Sequence, residues 1–374
     1  MDEWNWKQSL LCHIKSHPSA TIQDLIKLLY QQEMGIGHMV PGEAEALQRV
    51  REERRFYEQN LKNTGNQGEE IPLYENIGNG WVRLNLQPLW IGDFSMKTLA
   101  RMMVLSSKEA RGNLQNLQQR MRDWMELKEE DPLHLNSEKR IQVARWLEAD
   151  CPIPSHSKEY TETYSPHYRV VRAEYGYFFP LYHQIDFHLK RGKELTLAID
   201  GPCGSGKSTL GYKLSQFYDG SLFHMDDYYL LLEQQTPERY LQPGENVDHQ
   251  RFQQEVLEKI LVREDVLVQR YDCGKGVLEE GKAVPYKPIN IIEGSYSHHP
   301  NLVAYYHLKV FLSVDDKEQE KRLRLRNGEA GWRRFKTKWI PLENKYFDAL
   351  KIREKADLVF VTDTDYNMSG KPEL

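Results

Sequence analysis

Apolar residues recur at intervals of three and four positions through most of the N-terminal part of the chain. This spacing predicts helices over residues 24–30, 43–57, 96–105 and 138–147. Residues 74–86 differ, because polar and apolar residues alternate after the turn Gly78-Asn79-Gly80, as in the arm of a β-hairpin. The breaker-rich stretch 151–157 indicates a linker. We therefore predict a mainly helical domain with one β-hairpin over residues 1–154.

Short apolar runs alternate with amphipathic stretches in the rest of the chain. Alternation of this kind predicts a parallel sheet with helices on both faces. The runs predicted as strands are 195–200, 221–225, 266–271, 289–293, 309–314 and 358–362. We therefore predict a doubly wound α/β domain over residues 155–374.

The first predicted strand of this domain runs directly into a match to the pattern GxxxxGK[ST], and an apolar-periodic helix follows. Glycines allow the backbone to wrap closely around phosphate, and the helix N-terminus adds partial positive charge. Lys207 is expected to bridge the β- and γ-phosphates of ATP, and the Ser208 hydroxyl to bind Mg²⁺. The residues expected to bind the nucleotide are Gly201, Pro202, Cys203, Gly204, Ser205, Gly206, Lys207, Ser208 and Thr209. The sequence therefore predicts a phosphate-binding P-loop.

Two further strand ends carry acidic residues. Glu293 closes the apolar run 289–293, at a place where P-loop proteins orient the magnesium ion. Asp226 and Asp227 follow the run 221–225, so in a parallel sheet they lie at the same edge as the phosphates. A base there would suit phosphoryl transfer to a hydroxyl. The alternative is that the two aspartates cap a turn.

These motifs occur in an order that resembles the uridine kinase branch of the phosphoribulokinase and uridine kinase group of P-loop kinases. The resemblance covers roughly residues 194–362. The segments that carry it are the P-loop, Met225-Asp226-Asp227-Tyr228-Tyr229, Asn246-Val247-Asp248-His249, Arg270-Tyr271-Asp272, Glu293-Gly294 and an arginine-rich segment. The resemblance predicts a P-loop kinase domain that uses ATP and Mg²⁺ to phosphorylate a small molecule.

The resemblance also implies roles for individual side chains. It makes Asp226 the base, has Asp248 bind other hydroxyls of the acceptor, and places Glu293 near the metal. It sets Tyr229 and Tyr271 against the acceptor. Asp248 could instead be the N-cap of the following helix, and the two tyrosines could be ordinary packing residues.

The arginine-rich segment resembles the mobile lid of this kinase group. Guanidinium groups brought over the γ-phosphate would stabilise the charge that develops during transfer. Of the five arginines, Arg322, Arg324, Arg326, Arg333 and Arg334, we assign this role to Arg322 and Arg326. The alternative is a solvated basic face.

The sequence also departs from the family pattern. Gln250 and Arg251 stand where a proline and an acid are usual, and residues 273–276 replace a histidine that recognises the base. Specificity for uracil or cytosine is therefore unsupported. We expect a small polyhydroxylated acceptor such as a nucleoside, and Arg251 with Lys275 leave an anionic acceptor as the alternative.

Composition narrows the remaining classes of function. The 50 Lys and Arg against 55 Asp and Glu give a net charge of −5, which argues against nucleic-acid binding. Four scattered cysteines predict a cytoplasmic protein, and no apolar run is long enough for a membrane span. A different class of function stays open, in which the P-loop only senses ATP as a switch in an interaction protein. The oligomeric state is also open.

The predicted helix over residues 24–30 is followed by a segment with two glycines and a histidine. Gly35, Gly37 and His38 end a predicted helix. Together with polar residues of the hairpin they could form a second ligand pocket; those residues are Glu75, Asn79 and Arg83. The alternative is a glycine C-cap, a structural histidine and, at Arg83, a partner in a surface salt bridge.

Overall fold

The computed structural model describes residues 5–35, 42–60, 71–192, 194–272 and 275–363. The chain divides into two compact units, Met1–Phe179 and Pro180–Leu374. Residues 155–179, which the sequence analysis assigns to the second domain, thus belong to the first unit. The physical reason is that a strand within them pairs with the predicted hairpin and completes its sheet.

The first unit is mainly helical and contains one small sheet. Its helices are α1 (Trp6–Ser16), α2 (Ile22–Met34), α3 (Glu43–Asn60), α4 (Leu86–Ile91), α5 (Met96–Glu109), α6 (Leu114–Met125), α7 (Ser137–Glu148), α8 (Lys158–Tyr164) and α9 (Ala173–Tyr177). Its strands are β1 (Tyr74–Gly78), β2 (Trp81–Asn85) and β3 (Tyr168–Arg172). They form an antiparallel sheet in the order β1-β2-β3. The hairpin expected from the sequence is present, and β3 adds a strand that the sequence analysis does not predict.

Both faces of β2 are covered. Val82 and Leu84 on one face and Trp81 and Arg83 on the other are all buried. The salt-bridge alternative placed Arg83 at the surface, which is wrong, because its guanidinium lies inside the unit and hydrogen-bonds to Gln31 and Glu75. Gly35 ends α2 with φ 57°, as the C-cap interpretation requires, whereas Gly37 and His38 lie outside the described residues.

The second unit is an α/β domain. Its helices are α10 (Phe179–Gly192), α11 (Lys207–Tyr218), α12 (Pro237–Tyr240), α13 (His249–Phe252), α14 (Glu258–Leu261), α15 (Asp316–Arg334) and α16 (Ile340–Leu350). Its strands are β4 (Leu195–Asp200), β5 (Ser221–His224), β6 (Val266–Val268), β7 (Tyr271–Asp272), β8 (Val277–Leu278), β9 (Lys282–Val284), β10 (Ile289–Glu293), β11 (Leu308–Ser313) and β12 (Leu358–Val361). Single π-helical turns follow α13 and α15, and α15 is broken at Gly328, where φ is 65°.

Five strands form one parallel sheet in the order β12-β11-β4-β10-β5. The predicted parallel sheet with flanking helices is therefore confirmed. Every residue of β4 and β10 is buried, as expected for central strands covered on both faces. One predicted strand is misplaced: residues 266–271 lie outside this sheet, where β6 pairs antiparallel with β9. Leu267 in β6 is 57% exposed, so its apolar character does not indicate a core strand.

Candidate active site

The P-loop leaves the central strand β4 at the carboxyl edge of the sheet and leads into α11. Its first residue, Gly201, has φ 143°, and a Cβ there would overlap the carbonyl oxygen of Leu312. Gly206 is the N-cap of α11 with φ 95°, again a conformation that suits glycine. The backbone N–H groups of the first turn of α11 therefore open toward the edge where a phosphate would bind.

A buried carboxylate fixes the start of this loop. Asp200 accepts hydrogen bonds from the N–H of Gly201 at 2.7 Å, the N–H of His298 at 2.8 Å and the hydroxyl of Tyr346 at 2.8 Å. It is completely buried. Asp200 thus joins the P-loop to the segment after β10 and to α16. From the sequence, Asp200 is predicted only as the last residue of a strand.

Lys207 folds back over the loop. Its Nζ donates to the carbonyl oxygens of Gly201 at 2.7 Å and Pro202 at 2.9 Å, and the side chain is largely buried. These carbonyls hold the ammonium group within the loop, in the region that the phosphates of a nucleotide would enter.

Ser208 and Glu293 face each other across the edge of the sheet. The Ser208 hydroxyl donates to Glu293 Oε2 at 3.0 Å, and His224 donates from Nδ1 to the other carboxylate oxygen. The hydrogen bond to Glu293 raises the pKa of His224 above its usual value, against the effect of burial. A hydroxyl and a carboxylate are hard oxygen ligands of the kind that Mg²⁺ prefers, so these residues fit that ion. The sequence analysis does not predict His224, although it ends the strand next to β10.

Asp226 follows β5 at the same edge of the sheet. Its side chain is exposed to solvent, and the Tyr229 hydroxyl lies 3.4 Å from Oδ1. Desolvation by the surrounding protein atoms raises the pKa of the Asp226 carboxyl above its usual value. The positive charge of Lys207 acts in the opposite direction. The exposed carboxylate is therefore accessible to solvent and lies within electrostatic range of the P-loop lysine.

The other residues predicted to bind the phosphoryl acceptor contact other side chains or backbone groups of the protein, or are buried. Asp248 is the N-cap of α13, since Oδ1 accepts the Arg251 N–H at 3.0 Å, and Oδ2 accepts from Gln234 at 2.8 Å. Tyr229 packs against Trp339 with ring centroids 5.2 Å apart, and Tyr271 is buried. The N-cap alternative for Asp248 is thus present, and Gln234 is a neighbour that the motifs do not indicate.

Arg251 and Lys275, the two cations that the sequence suggests for an anionic acceptor, both contact other residues of the protein. Arg251 lies 4.3 Å over the ring of Tyr228 and donates to the carbonyl oxygen of Asp227. Lys275 pairs with Asp272 at 2.9 Å.

The arginines of α15 differ in what they contact. Arg322 donates to the P-loop carbonyl of Gly204 at 3.1 Å and to the carbonyl of Thr362. Arg324 pairs instead with Glu320 and Glu329, away from the loop. Arg326 is exposed and lies 5.6 Å from the ring centroid of Phe335. In the described structure Arg322 therefore contacts the P-loop, while Arg326 contacts a neighbouring aromatic ring.

Glu343 in α16 also reaches the P-loop, and the sequence analysis does not single it out. Its carboxylate accepts from the Cys203 N–H at 2.9 Å and lies 2.8 Å from the Ser295 hydroxyl. Burial raises the pKa of Glu343, and the charge of Lys207 opposes that rise. The segment after the arginines is thus anchored to the loop by an acid rather than by a cation.

Two simpler expectations concern the cysteines and the membrane. Cys12, Cys151 and Cys203, the cysteines within the described ranges, are free. Among the helices that the structure describes, none combines the length and the apolar composition that crossing a bilayer requires.

Comparisons with known proteins give matches to solved structures. Neither the models of protein families nor the curated protein sequences contain a match. A possible uridine kinase from Bacillus stearothermophilus aligns with 20% identity and a TM-score of 0.36, over 48% of this chain and 99% of that chain. A protein assigned as a fructose transport system kinase from Silicibacter sp. TM1040 aligns with 24% identity and a TM-score of 0.36, over 45% and 89%. TT1252 from Thermus thermophilus aligns with 15% identity and a TM-score of 0.28, over 46% and 92%.

Proposed function

We propose that this chain is an ATP- and Mg²⁺-dependent kinase that transfers the γ-phosphoryl group to a hydroxyl of a small polyhydroxylated metabolite such as a nucleoside. The observation that carries the proposal is the position of Asp226. A solvent-accessible carboxylate stands at the sheet edge that also bears the P-loop, within electrostatic range of Lys207. A nucleotide sensor has no need of such a group, whereas phosphoryl transfer to an alcohol needs a base there.

The raised pKa of Asp226 suits this role. A base of higher pKa binds the acceptor proton more strongly, and the pKa of Asp226 is raised above its usual value. The Tyr229 hydroxyl beside Oδ1 helps to hold the carboxylate in one orientation. The acceptor hydroxyl would then lie between Asp226 and the γ-phosphorus.

The remaining groups divide the other tasks. Ser208 and Glu293 would hold Mg²⁺, which supplies positive charge for the phosphate oxygens. Lys207 exchanges its two carbonyl partners for phosphate oxygens when ATP enters. Arg322 already touches the loop, and Arg326 would have to swing in from the surface on closure.

Acceptor binding is assigned to Asp248, Tyr229 and Tyr271. Since Gln234 donates to Oδ2 of Asp248, an acceptor hydroxyl replaces that amide or shares the oxygen with it. The contacts made by Arg251 and Lys275 favour a neutral acceptor over an anionic one. The free cysteines are consistent with the cytoplasmic location that forms part of this proposal.

The test is a panel of nucleosides, sugars and related alcohols incubated with ATP and Mg²⁺, followed by mapping of the modified hydroxyl. Asp226→Asn should lower transfer at least about a hundredfold while ATP still binds. Asp227→Asn is the matched control, because its carboxylate faces Arg270 and should leave transfer largely intact. Equal transfer by Asp226→Asn and the wild type would refute the proposal. ATP binding with slow hydrolysis, no acceptor in the panel and no effect of Asp226→Asn would favour the switch.

A further inference from the structure

A cluster of two histidines and one glutamate lies in the first unit, in a part of the chain that the kinase proposal does not use. His13 lies in the last turn of α1, His17 is the C-cap residue of the same helix, and their rings stack with centroids 4.3 Å apart. Glu75 in β1 lies beside them, with Oε1 2.9 Å from His13 Nδ1. One donor atom from each residue can be chosen so that all three lie within 4.8 Å of one another.

From this cluster we propose that His13, His17 and Glu75 bind a divalent transition-metal ion, with Zn²⁺ the best match. Two imidazoles and one carboxylate are a ligand set typical of zinc sites that keep a further position open. Ligands of one tetrahedral zinc lie roughly 3.3 Å apart, given bonds of about 2.0–2.1 Å. The cluster therefore needs only small side-chain movements to close around an ion.

Unsatisfied ring nitrogens support the site independently of its spacing. His13 Nε2 and His17 Nδ1 are both buried, and no described residue hydrogen-bonds to either. The His13 side chain is only 2% exposed. A buried polar nitrogen without a partner is costly, and a bound ion would provide one.

Glu75 is oriented by hydrogen bonds from neighbouring residues, as the carboxylate ligands of metal sites usually are. Arg83 donates from Nη1 to Glu75 Oε2 at 3.3 Å, and Gln31 in turn accepts from Arg83 at 2.9 and 3.0 Å. These contacts fix one carboxylate oxygen and leave Oε1 directed at His13. A hydrogen-bonded outer layer of this kind orients the ligands of a metal.

His17 and Glu75 border a cavity, so the coordination positions of the ion that the protein does not fill could be directed into it. His17, Glu75 and Tyr160 line this cavity within the first unit, and its volume is about 630 Å³. Water or an oxygen ligand could reach the ion from this side. The site is therefore closer to a zinc centre with an open position than to a closed structural one.

The experiment uses the full chain, freed of metal by dialysis against a chelator. Zn²⁺ is titrated calorimetrically, and Co²⁺ is followed by its visible absorption. We expect one tight site in the wild type, weakened at least about tenfold by His17→Gln. His167→Gln is the matched control, because His167 lines the same cavity outside the cluster and should bind as the wild type does. Circular dichroism of the metal-free variants checks that they are folded.

A second group of possible ligands makes the test sharper. Glu245, His249 and His299 also lie close together, in the second unit. Loss of the tight site in His299→Gln with full binding in His17→Gln would overturn the proposal. A Co²⁺ spectrum of the wild type with strong thiolate bands would do the same without any variant, since the proposed site contains no sulfur. Absence of tight binding would also overturn it.

Discussion

The hydroxyl of Ser208 lies 3.0 Å from the Glu293 carboxylate, although 85 residues separate them in the chain. Ser208 is in the first turn of α11 and Glu293 ends β10, so the contact joins the P-loop helix to the strand next to β4. It brings together the two residues that the sequence assigns to Mg²⁺ at one point of the sheet edge.

Removing the charge of Glu293 should weaken the binding of that ion and shift the Mg²⁺ dependence of transfer to higher concentrations. For Glu293→Gln we expect transfer to fall about tenfold to a hundredfold at low Mg²⁺ and to recover partly at high Mg²⁺. The measurement is the rate of ATP-dependent transfer over a range of Mg²⁺ concentrations. Glu280→Gln, at an exposed position, is the control and should follow the wild type. An unchanged Mg²⁺ dependence in Glu293→Gln would contradict the assignment.

At acidic pH, the rate of phosphoryl transfer should depend on the protonation of Asp226. A base works only when deprotonated, so transfer falls as pH drops through its pKa. Because that pKa is raised in the folded protein, the fall should begin at a higher pH than for an ordinary aspartate. The measurement is kcat/KM against pH. A limb at or below the usual aspartate pKa of about 3.9 would argue that another group is the base.

Two neighbouring arginines provide a matched pair of substitutions. Arg322→Ala removes the contact to Gly204 and a group close to the phosphates, so we expect transfer to fall about a hundredfold. Arg324→Ala removes pairs with Glu320 and Glu329 and a contact with the Trp332 ring, all away from the loop, and should change the rate less than about twofold. Steady-state kinetics together with thermal unfolding would separate loss of catalysis from loss of stability. Equal rates for the two variants would show that Arg322 has no special role.

Gly201→Ala should damage the P-loop itself. The added Cβ meets the carbonyl oxygen of Leu312, and φ 143° is unfavourable for alanine. We expect a loss of stability of about 1–3 kcal/mol and loss of nucleotide binding. Gly192→Ala is the control, since nothing lies within 4 Å of its added Cβ. Denaturant unfolding and binding of a fluorescent ATP analogue measure the two effects, and normal binding by Gly201→Ala would count against this explanation.

Asp24 should make the first unit sensitive to acid. Burial would raise its pKa, but hydrogen bonds from Ser157, His156 and Thr21 lower it to about 2. A carboxyl whose pKa is lowered on folding stabilises the fold above its unfolded pKa of about 3.9, and this contribution is lost as pH falls toward 2. The contribution at neutral pH is about 2–3 kcal/mol.

Unfolding in urea at pH 7 and pH 3 tests this expectation. Six of the eight tryptophans lie between residues 4 and 146, so their fluorescence mainly follows the first unit. Asp24→Asn should lower stability at pH 7 and reduce the difference between the two pH values. Glu129→Gln, at an exposed position, should leave both unchanged. An Asp24→Asn variant as acid-sensitive as the wild type would contradict the assignment.

The sequence predicts those parts of the site whose chemistry is local in the chain. The P-loop can be recognised because its glycines, Lys207 and Ser208 act together within eight residues that follow one strand. The central strands can be recognised because burial on both faces leaves continuous apolar runs. In the first unit the three- and four-residue spacing of apolar residues predicts α2, α3, α5 and α7, whereas α1, α4, α6, α8 and α9 are not predicted.

Contacts between distant segments leave no comparable pattern. Glu343 meets the Cys203 N–H across 140 residues, and no local spacing distinguishes it from other acids in a helix. The alternative that placed Arg83 at the surface fails because alternation along β2 does not reveal that both faces of the sheet are covered. The cluster of His13, His17 and Glu75 depends in the same way on α1 lying against β1.

The three hydrogen bonds that Asp200 accepts suggest when, during synthesis of the chain, the P-loop becomes fully supported. One of its partners, Tyr346, is 146 residues further along the chain. A ribosome completes the phosphate-binding loop long before it makes that tyrosine, so a nascent chain has the loop sequence without its full support. We therefore expect nucleotide affinity to arise late in synthesis, when α16 emerges and packs, rather than as soon as the loop is translated.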